Sequence, residues 1–134
     1  MLDEIKEKVQ NLSLSDKVLF LGKRSDVAEL YQAMDLFVLP SLFEGLPISM
    51  LEAQCSGLKC YASENITDEV KITTGVHYLP FSISAWSNEI ITTFCDGYER
   101  YDRSAEVAAA GFSIKEQIRV IERIYAGEDD QWLP

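Results

Sequence analysis

Two carboxylates eight positions apart, Glu44 and Glu52, flank the most informative joint of the chain. Glu44 falls in a loop and Glu52 inside a predicted helix. Pro47 suits the first turn of that helix, because its missing N–H would have been unpaired there anyway. Leu46 is then the N-cap, and leucine has no side-chain oxygen to offer the first-turn amides. The amides of Ile48, Ser49 and Met50 are therefore predicted to be open. Gly45 lets the loop backbone come close to a ligand. Open amides at a helix start make an anion site. The carboxylates beside such a site suit a different task, accepting hydrogen bonds from sugar hydroxyls. Glu52 lies about 7.5 Å along the helix axis from Pro47, at about 1.5 Å per residue. The bland alternatives are a solvated loop glutamate at 44 and a dipole-complementing glutamate at 52.

Three elements must position this joint. Residues 36–39 are a short apolar run ending at Pro40, as expected of a buried strand. The helix after Pro47 runs to Gly57, where a left-handed residue is often needed. Residues 58–62 read as a second strand. Strand, helix and strand at this spacing make a right-handed βαβ unit with parallel strands. Ligands bind open α/β sheets at the carboxyl ends of such strands.

The run Ser41-Leu42-Phe43-Glu44-Gly45-Leu46-Pro47, with Leu51-Glu52-Ala53 and Ser56-Gly57, resembles the Glu-x7-Glu signature of retaining GT-B glycosyltransferases. The likeness is to glycosyltransferase family 4. It extends to Val18-Leu19-Phe20-Leu21-Gly22 with Asp26-Val27, to Leu36-Phe37-Val38-Leu39-Pro40-Ser41, and to Phe112-Ser113-Ile114 with the helix up to Tyr125. The resemblance implies a Rossmann-like, mainly parallel α/β sheet flanked by helices, forming part of the C-terminal, donor-binding half of a GT-B fold. It implies transfer of a hexosyl-type sugar from a nucleotide-diphosphate donor to an acceptor hydroxyl, with retention and without a metal or other cofactor. Glu44 would hold hydroxyls of the donor sugar, as the catalytic residue of this half. Glu52 would hold the ribose. Ser41, Phe43, Gly45, Leu46, Pro47 and Ile48 would line the donor.

Two departures from the family pattern stand out. No residue matches the Arg and Lys that the family places on the first strands of this half to bind the diphosphate. The family's Gly-rich turn after the second strand is replaced by Ser63-Glu64-Asn65-Ile66-Thr67-Asp68-Glu69, leaving Asn65 and Thr67 as weak sugar contacts. The resemblance therefore implies a chain with little or no activity alone. A partner chain bearing the N-terminal half, or self-association, is expected to cover what the missing strands expose. Two other functions fit less of the sequence. One is a non-catalytic nucleotide-sugar-binding subunit working with a separate chain. The other is a glycoside hydrolase using Glu44 and Glu52, a class that needs both carboxyls across one bond.

The rest of the chain reads as alternating elements. Residues 1–12 are helical, with Leu2, Ile5, Val9 and Leu12 on one face. Residues 17–21 read as a strand covered on both faces. Asp26 with Glu29 resembles a capping box for a helix over 27–34 that buries Ala28, Leu30, Tyr31 and Met34. Lys23 and Arg24 stand on the loop before it, on the rim where a base or phosphate would lie, and read as a solvated pair. Residues 69–73 are a short strand or irregular, and 76–81 a strand. His77, the single histidine, reads as a packed or surface residue rather than a catalyst. Residues 83–95 form a helix whose Trp86, Ile90 and Phe94 face the core. A helix is predicted over 100–110. Ser113 with Glu116 caps the last one, whose stripe is Ile114, Ile118, Ile121 and Tyr125. Residues 128–130 are an acidic tail.

Bulk properties bound the function. The 134 residues make one domain, 1–134. A net charge of −10 excludes wrapping a nucleic-acid backbone and a polybasic membrane patch. No apolar run reaches the length of a transmembrane segment, and no signal peptide is expected. Three cysteines, Cys55, Cys60 and Cys95, read as reduced and mostly buried thiols of a cytoplasmic protein. Their spacing with His77 fits no zinc pattern.

Overall fold

A computed structural model describes residues 1–128. The elements in order are α1 (Leu2–Asn11), α2 (Val27–Ala33), β1 (Leu36–Leu39), α3 (Ile48–Cys55), β2 (Lys59–Ser63), β3 (Val76–Leu79), α4 (Ile83–Asp96), α5 (Ser104–Val107) and α6 (Ile114–Tyr125). A single 3-10 turn, Asp68–Val70, stands where a short strand or irregular segment was expected. The described strands form one parallel sheet in the order β1-β2-β3, with Phe37 opposite Cys60 and Cys60 opposite Val76. This is the expected Rossmann-like α/β architecture, with the βαβ unit at its centre.

The central strand decides the layers. Cys60 and Ala62 join Met50, Leu51 and Ala53 of α3 in the core on one face. Tyr61 points to the other face, where its hydroxyl meets Thr93 of α4. Lys59 Nζ donates to the same Thr93 hydroxyl at 3.0 Å. A strand sandwiched between helices is buried on both faces, and in β2 every residue from Cys60 to Ser63 is buried. His77, half-buried, sets its ring against Tyr61 at 5.6 Å between centroids, which is the packed of its two expected placements.

Gln54 ties α3 to the loop beyond β2. It is fully buried, and its amide nitrogen donates to Val70 O at 2.8 Å and Met50 O at 3.2 Å. Its amide oxygen accepts from the Thr73 and Ile72 N–H groups at 3.0 and 3.2 Å. All its hydrogen-bonding capacity is used, as a buried amide requires.

Several expectations change. Residues 17–21 form no strand, and Leu19 is 79% exposed. A strand needs a neighbour to pair its backbone, and the described sheet ends at β1 without reaching this run. The face of α1 expected to be buried has no buried residue. On α2 the buried side narrows to Tyr31, with Ala28 exposed. Asp26 does not cap α2 by its side chain, because Arg24 holds both its carboxylate oxygens, the Nε bond being 2.8 Å. Phe94 is exposed rather than in the core, while Trp86 and Ile90 are half-buried. The inward position of α4 is Thr93, which answers polar partners on β2. Cys95 is exposed, Cys55 half-buried and Cys60 alone buried, all as free thiols.

The helix predicted over 100–110 shrinks to α5, followed by a wide turn, Ala108–Phe112, in which Gly111 has φ 93°. Residues 98–103 instead lie as a strap across the carboxyl ends of α2 and α3. Arg100 is its anchor. The guanidinium donates to the carbonyls of Tyr31 (2.7 Å), Met34 (2.8 Å), Gln32 (3.1 Å) and Ser56 (2.9 Å). Those are the unpaired carbonyls that every helix end leaves, here answered by one charged fork.

Ser113 caps α6, accepting from the Glu116 N–H at 3.4 Å, but the Glu116 carboxylate turns to Arg119 at 2.8 Å rather than completing a box. The stripe of α6 is open, with Ile114 77% exposed. Of the acidic tail, only Glu128 falls within the described residues.

Candidate functional site

The loop between β1 and α3 leaves the carboxyl edge of the sheet and carries Ser41, Leu42, Phe43, Glu44, Gly45 and Leu46. Within it Ser41 Oγ donates to Glu44 Oε1 at 2.8 Å, fixing one carboxylate oxygen of a half-buried glutamate. Phe43 is 81% exposed. Gly45 has no positive φ, and a Cβ there would meet nothing within 4 Å. Neither backbone strain nor internal packing therefore calls for glycine at 45. What its missing side chain provides is clear space outside the backbone.

The helix start is bare, with one adjustment. The N-cap is Pro47 rather than Leu46, with φ −73° and ψ 100°. Proline tolerates that position because its fixed φ fits both cap and helix, and it too has no side-chain acceptor. No side chain caps the helix. The Met50 amide is not open, since it donates to Pro47 O at 3.0 Å. Ile48 and Ser49 keep the uncapped amides, among the described residues. Leucine at 46 and isoleucine at 48 are both exposed beside them.

Glu52 is anchored from another element. Tyr31, on α2, donates its hydroxyl to Glu52 Oε2 and to Ser49 O, each at 3.1 Å. Each glutamate thus has one oxygen held by a protein hydroxyl. Glu52 and Ile48 line one open apolar groove with Leu51, Cys55 and the stripe of α6. Glu44 is not among the residues lining that groove. Ser41, Glu44, Gly45, Leu46, Pro47 and Ile48 are neighbours along the chain, and of these Ile48 shares its groove with Glu52.

Other candidates are accounted for by local structure. Asn65 and its backbone amide both reach Ser63 Oγ at 3.3 Å. Thr67 caps the 3-10 turn through Glu69 N, and its carbonyl accepts from Tyr78 at 2.8 Å. Arg24 is paired with Asp26. Among the described residues no three His, Cys, Asp or Glu side chains gather as a metal site. Tyr31 is the residue that sequence reasoning missed. Its place on the buried side of α2 was visible, but not that its hydroxyl would reach a helix 18 positions on.

The comparison with known families decides the assignment. Residues 1–110 match the family described as Glycosyl transferases group 1. The chain belongs to that family. The chain is 36% identical over 126 residues to EpsF of Bacillus subtilis (strain 168), a protein provisionally named a glycosyltransferase. That match covers 91% of the chain and 33% of EpsF. It is 28% identical over 130 residues to the lipopolysaccharide core biosynthesis mannosyltransferase LpsB of Rhizobium meliloti (strain 1021), covering 91% of the chain and 37% of LpsB. Over 64 residues, 47% of the chain and 16% of the relative, it is 42% identical to an Escherichia coli UDP-Gal:alpha-D-GlcNAc-diphosphoundecaprenol alpha-1,3-galactosyltransferase. The chain spans about a third of the length of the curated relatives that it matches over most of its own. With the parallel sheet, family membership accords with part of a GT-B fold. No helix among the described residues is long and apolar enough to cross a membrane.

Burial gives this chain a pH dependence. Burial and the neighbouring Glu52 push the Tyr31 phenol from 10.0 up to about 12. Burial pushes the Cys60 thiol from 9.0 up to about 12. Both groups are neutral when protonated and stay protonated longer in the folded chain. Above the unfolded values the folded state binds more protons, so stability falls with rising pH. Their contribution is complete below about pH 9 and is lost between about pH 9 and 12. Urea midpoints at pH 8 and 11 should show the decline, and Tyr31→Phe should make it shallower. Equal midpoints at the two pH values would contradict it.

Proposed function

We propose that this chain carries the donor site of a retaining glycosyltransferase that moves a hexosyl group from a nucleotide diphosphate to an acceptor hydroxyl. The observation that carries the reading is the uncapped start of α3 flanked by two glutamates, each held at one oxygen by a protein hydroxyl. A held carboxylate keeps its other oxygen as an acceptor in a defined direction. Glu44 takes hydroxyls of the donor sugar and Glu52 those of the ribose. Amides near Gly45 and Leu46 face sugar and phosphate, and those of Ile48 and Ser49 add positive potential. Ser41 orients Glu44, while Phe43 and Ile48 supply apolar surface and Pro47, itself buried, sets the helix start beneath them. Preorganised donors of this kind stabilise the growing charge on a leaving diphosphate, by about 3–4 kcal/mol each in well-studied cases.

Transfer is proposed to need no metal, so a chelator should leave donor binding unchanged. The acceptor would sit on protein beyond this chain, and the names of LpsB and the Escherichia coli relative suggest glycoconjugate or polysaccharide synthesis. The free thiols agree with a cytoplasmic setting. With no matched Arg and Lys for the diphosphate, the isolated chain is proposed to bind donor weakly and turn over little. The apolar runs left exposed among the described residues favour a second form of the same reading. In it the chain is a nucleotide-sugar-binding part working with a partner chain, or assembling with itself through the exposed apolar runs at Leu19 and on α6.

Calorimetric titration with uridine and guanosine diphosphate sugars tests the site. Gly45→Ala should weaken binding about tenfold without loss of stability, because its Cβ enters space that is empty in the protein. Glu44→Gln should weaken sugar nucleotides more than the bare nucleoside diphosphate. Binding unaffected by either change would remove the proposed site, and vigorous sugar transfer by the chain alone would remove the proposed dependence on a partner.

A further inference from the structure

Tyr31 is 5% exposed, and its ring bridges two helices. Phe37 meets that ring edge-on at 6.0 Å between centroids. The Tyr31 carbonyl is held by Arg100 Nη2 at 2.7 Å. The hydroxyl is thus delivered from α2 to α3 by a residue held at its backbone carbonyl and at its hydroxyl. There its one proton is shared between Ser49 O and Glu52 Oε2. Glu52 is exposed, and Tyr31 is its hydrogen-bonding partner within the described chain.

We propose that Tyr31 is the positioning residue for ribose recognition, holding Glu52 by one oxygen so that the other meets the ribose diol. The premise is the role of Glu52 proposed above. A free glutamate on a helix surface samples many rotamers, and freezing it on binding costs affinity. Anchored by Tyr31, Glu52 has lost that freedom before the nucleotide arrives. An ionised carboxylate offers about four lone-pair directions. Tyr31 uses one, and Oε1 remains for two vicinal hydroxyl donors. The geometry makes Tyr31 a determinant of sugar-ring chemistry without requiring it to touch the ligand.

The test compares the nucleoside diphosphate that the chain binds, UDP or GDP, with its 2′,3′-dideoxy form. The parent chain should prefer the ribose form by about tenfold or more, the usual effect of hydrogen bonds to a charged group. Tyr31→Phe should erase most of that preference and leave the dideoxy affinity unchanged. Glu52→Gln should also reduce it, and the double variant should add little, because the two act as one unit. A ligand-free arm follows Tyr31 by NMR of ring-labelled tyrosine, assigned with Tyr31→Phe. In Glu52→Gln the Tyr31 phenol should titrate lower than in the parent chain, since a neighbouring carboxylate is removed. An unmoved titration would overturn the contact. Equal weakening of both nucleotides by Tyr31→Phe would make Tyr31 merely structural and overturn the positioning role, leaving the donor site in place. Failure of the parent chain to bind either nucleotide would instead overturn the donor-site reading, and this role with it.

Discussion

Gly57→Ala is expected to lower stability by about 3 kcal/mol, the sum of a left-handed backbone penalty and a steric clash. Gly57 has φ +73°. Its N–H bonds to Gln54 O at 2.9 Å and the Leu58 N–H bonds to Ala53 O at 3.1 Å, the double closure of a Schellman turn. A Cβ there would lie 2.9 Å from the Tyr101 carbonyl carbon and closer still to its oxygen. Backbone cannot swing aside like a side-chain tip, so the 98–103 strap must shift. That shift would also loosen Arg100 from the ends of α2 and α3. Reduced entropy of the unfolded chain returns only about 0.4–1 kcal/mol. Urea denaturation of the variant measures the net loss. A change under 1 kcal/mol would mean that the strap does not press on this turn.

Gln54→Leu should cost a similar amount, about 2–3 kcal/mol, although it exchanges a polar buried residue for an apolar one of similar size. The Thr73 N–H would lose its acceptor in a place that water does not reach, Thr73 being 2% exposed. Val70 O would lose the amide donor at 2.8 Å, keeping only Ile72 N at 3.0 Å. Leucine gains hydrophobic burial, but an orphaned buried amide costs about 1–3 kcal/mol, and the loop carrying Val70 loses its tie to α3. Gln54→Glu should be worse still, because a carboxylate keeps the two acceptor contacts but has no proton for the carbonyls of Met50 and Val70. Midpoints in urea for the three chains should fall in the order parent, Leu, Glu. A Gln54→Leu chain as stable as the parent would show that the loop finds other partners.

These two residues mark the line between what was legible in the sequence and what was not. Gly57 could be read as a helix stop from its place after Ser56, because the left-handed requirement is local. Its collision with Tyr101 could not, because those residues meet only through the strap. Gln54 gave no signal, since a glutamine in a helix looks solvent-facing until the loop at Val70 folds over it. Residues 17–21 misled in the opposite direction. Their apolar pattern is that of a buried strand, but pattern cannot supply the neighbour whose backbone such a strand must pair with.

The sequence by itself determined the parallel βαβ unit, the bare helix start near Pro47 and the frame of Glu44 and Glu52, along with the family likeness that the comparison then established. Within each element backbone sterics, capping chemistry and hydrophobic period act directly, and the right-handed crossover rule then sets the two strands side by side. Only the tertiary structure decided that Tyr31 anchors Glu52, that Arg100 closes two helices at once, and that the α6 stripe lies open. The first two are meetings of segments far apart in the chain, and the third is a face left open among the described residues. Such contacts are fixed by the packing of whole elements, and single-residue propensity carries no record of it.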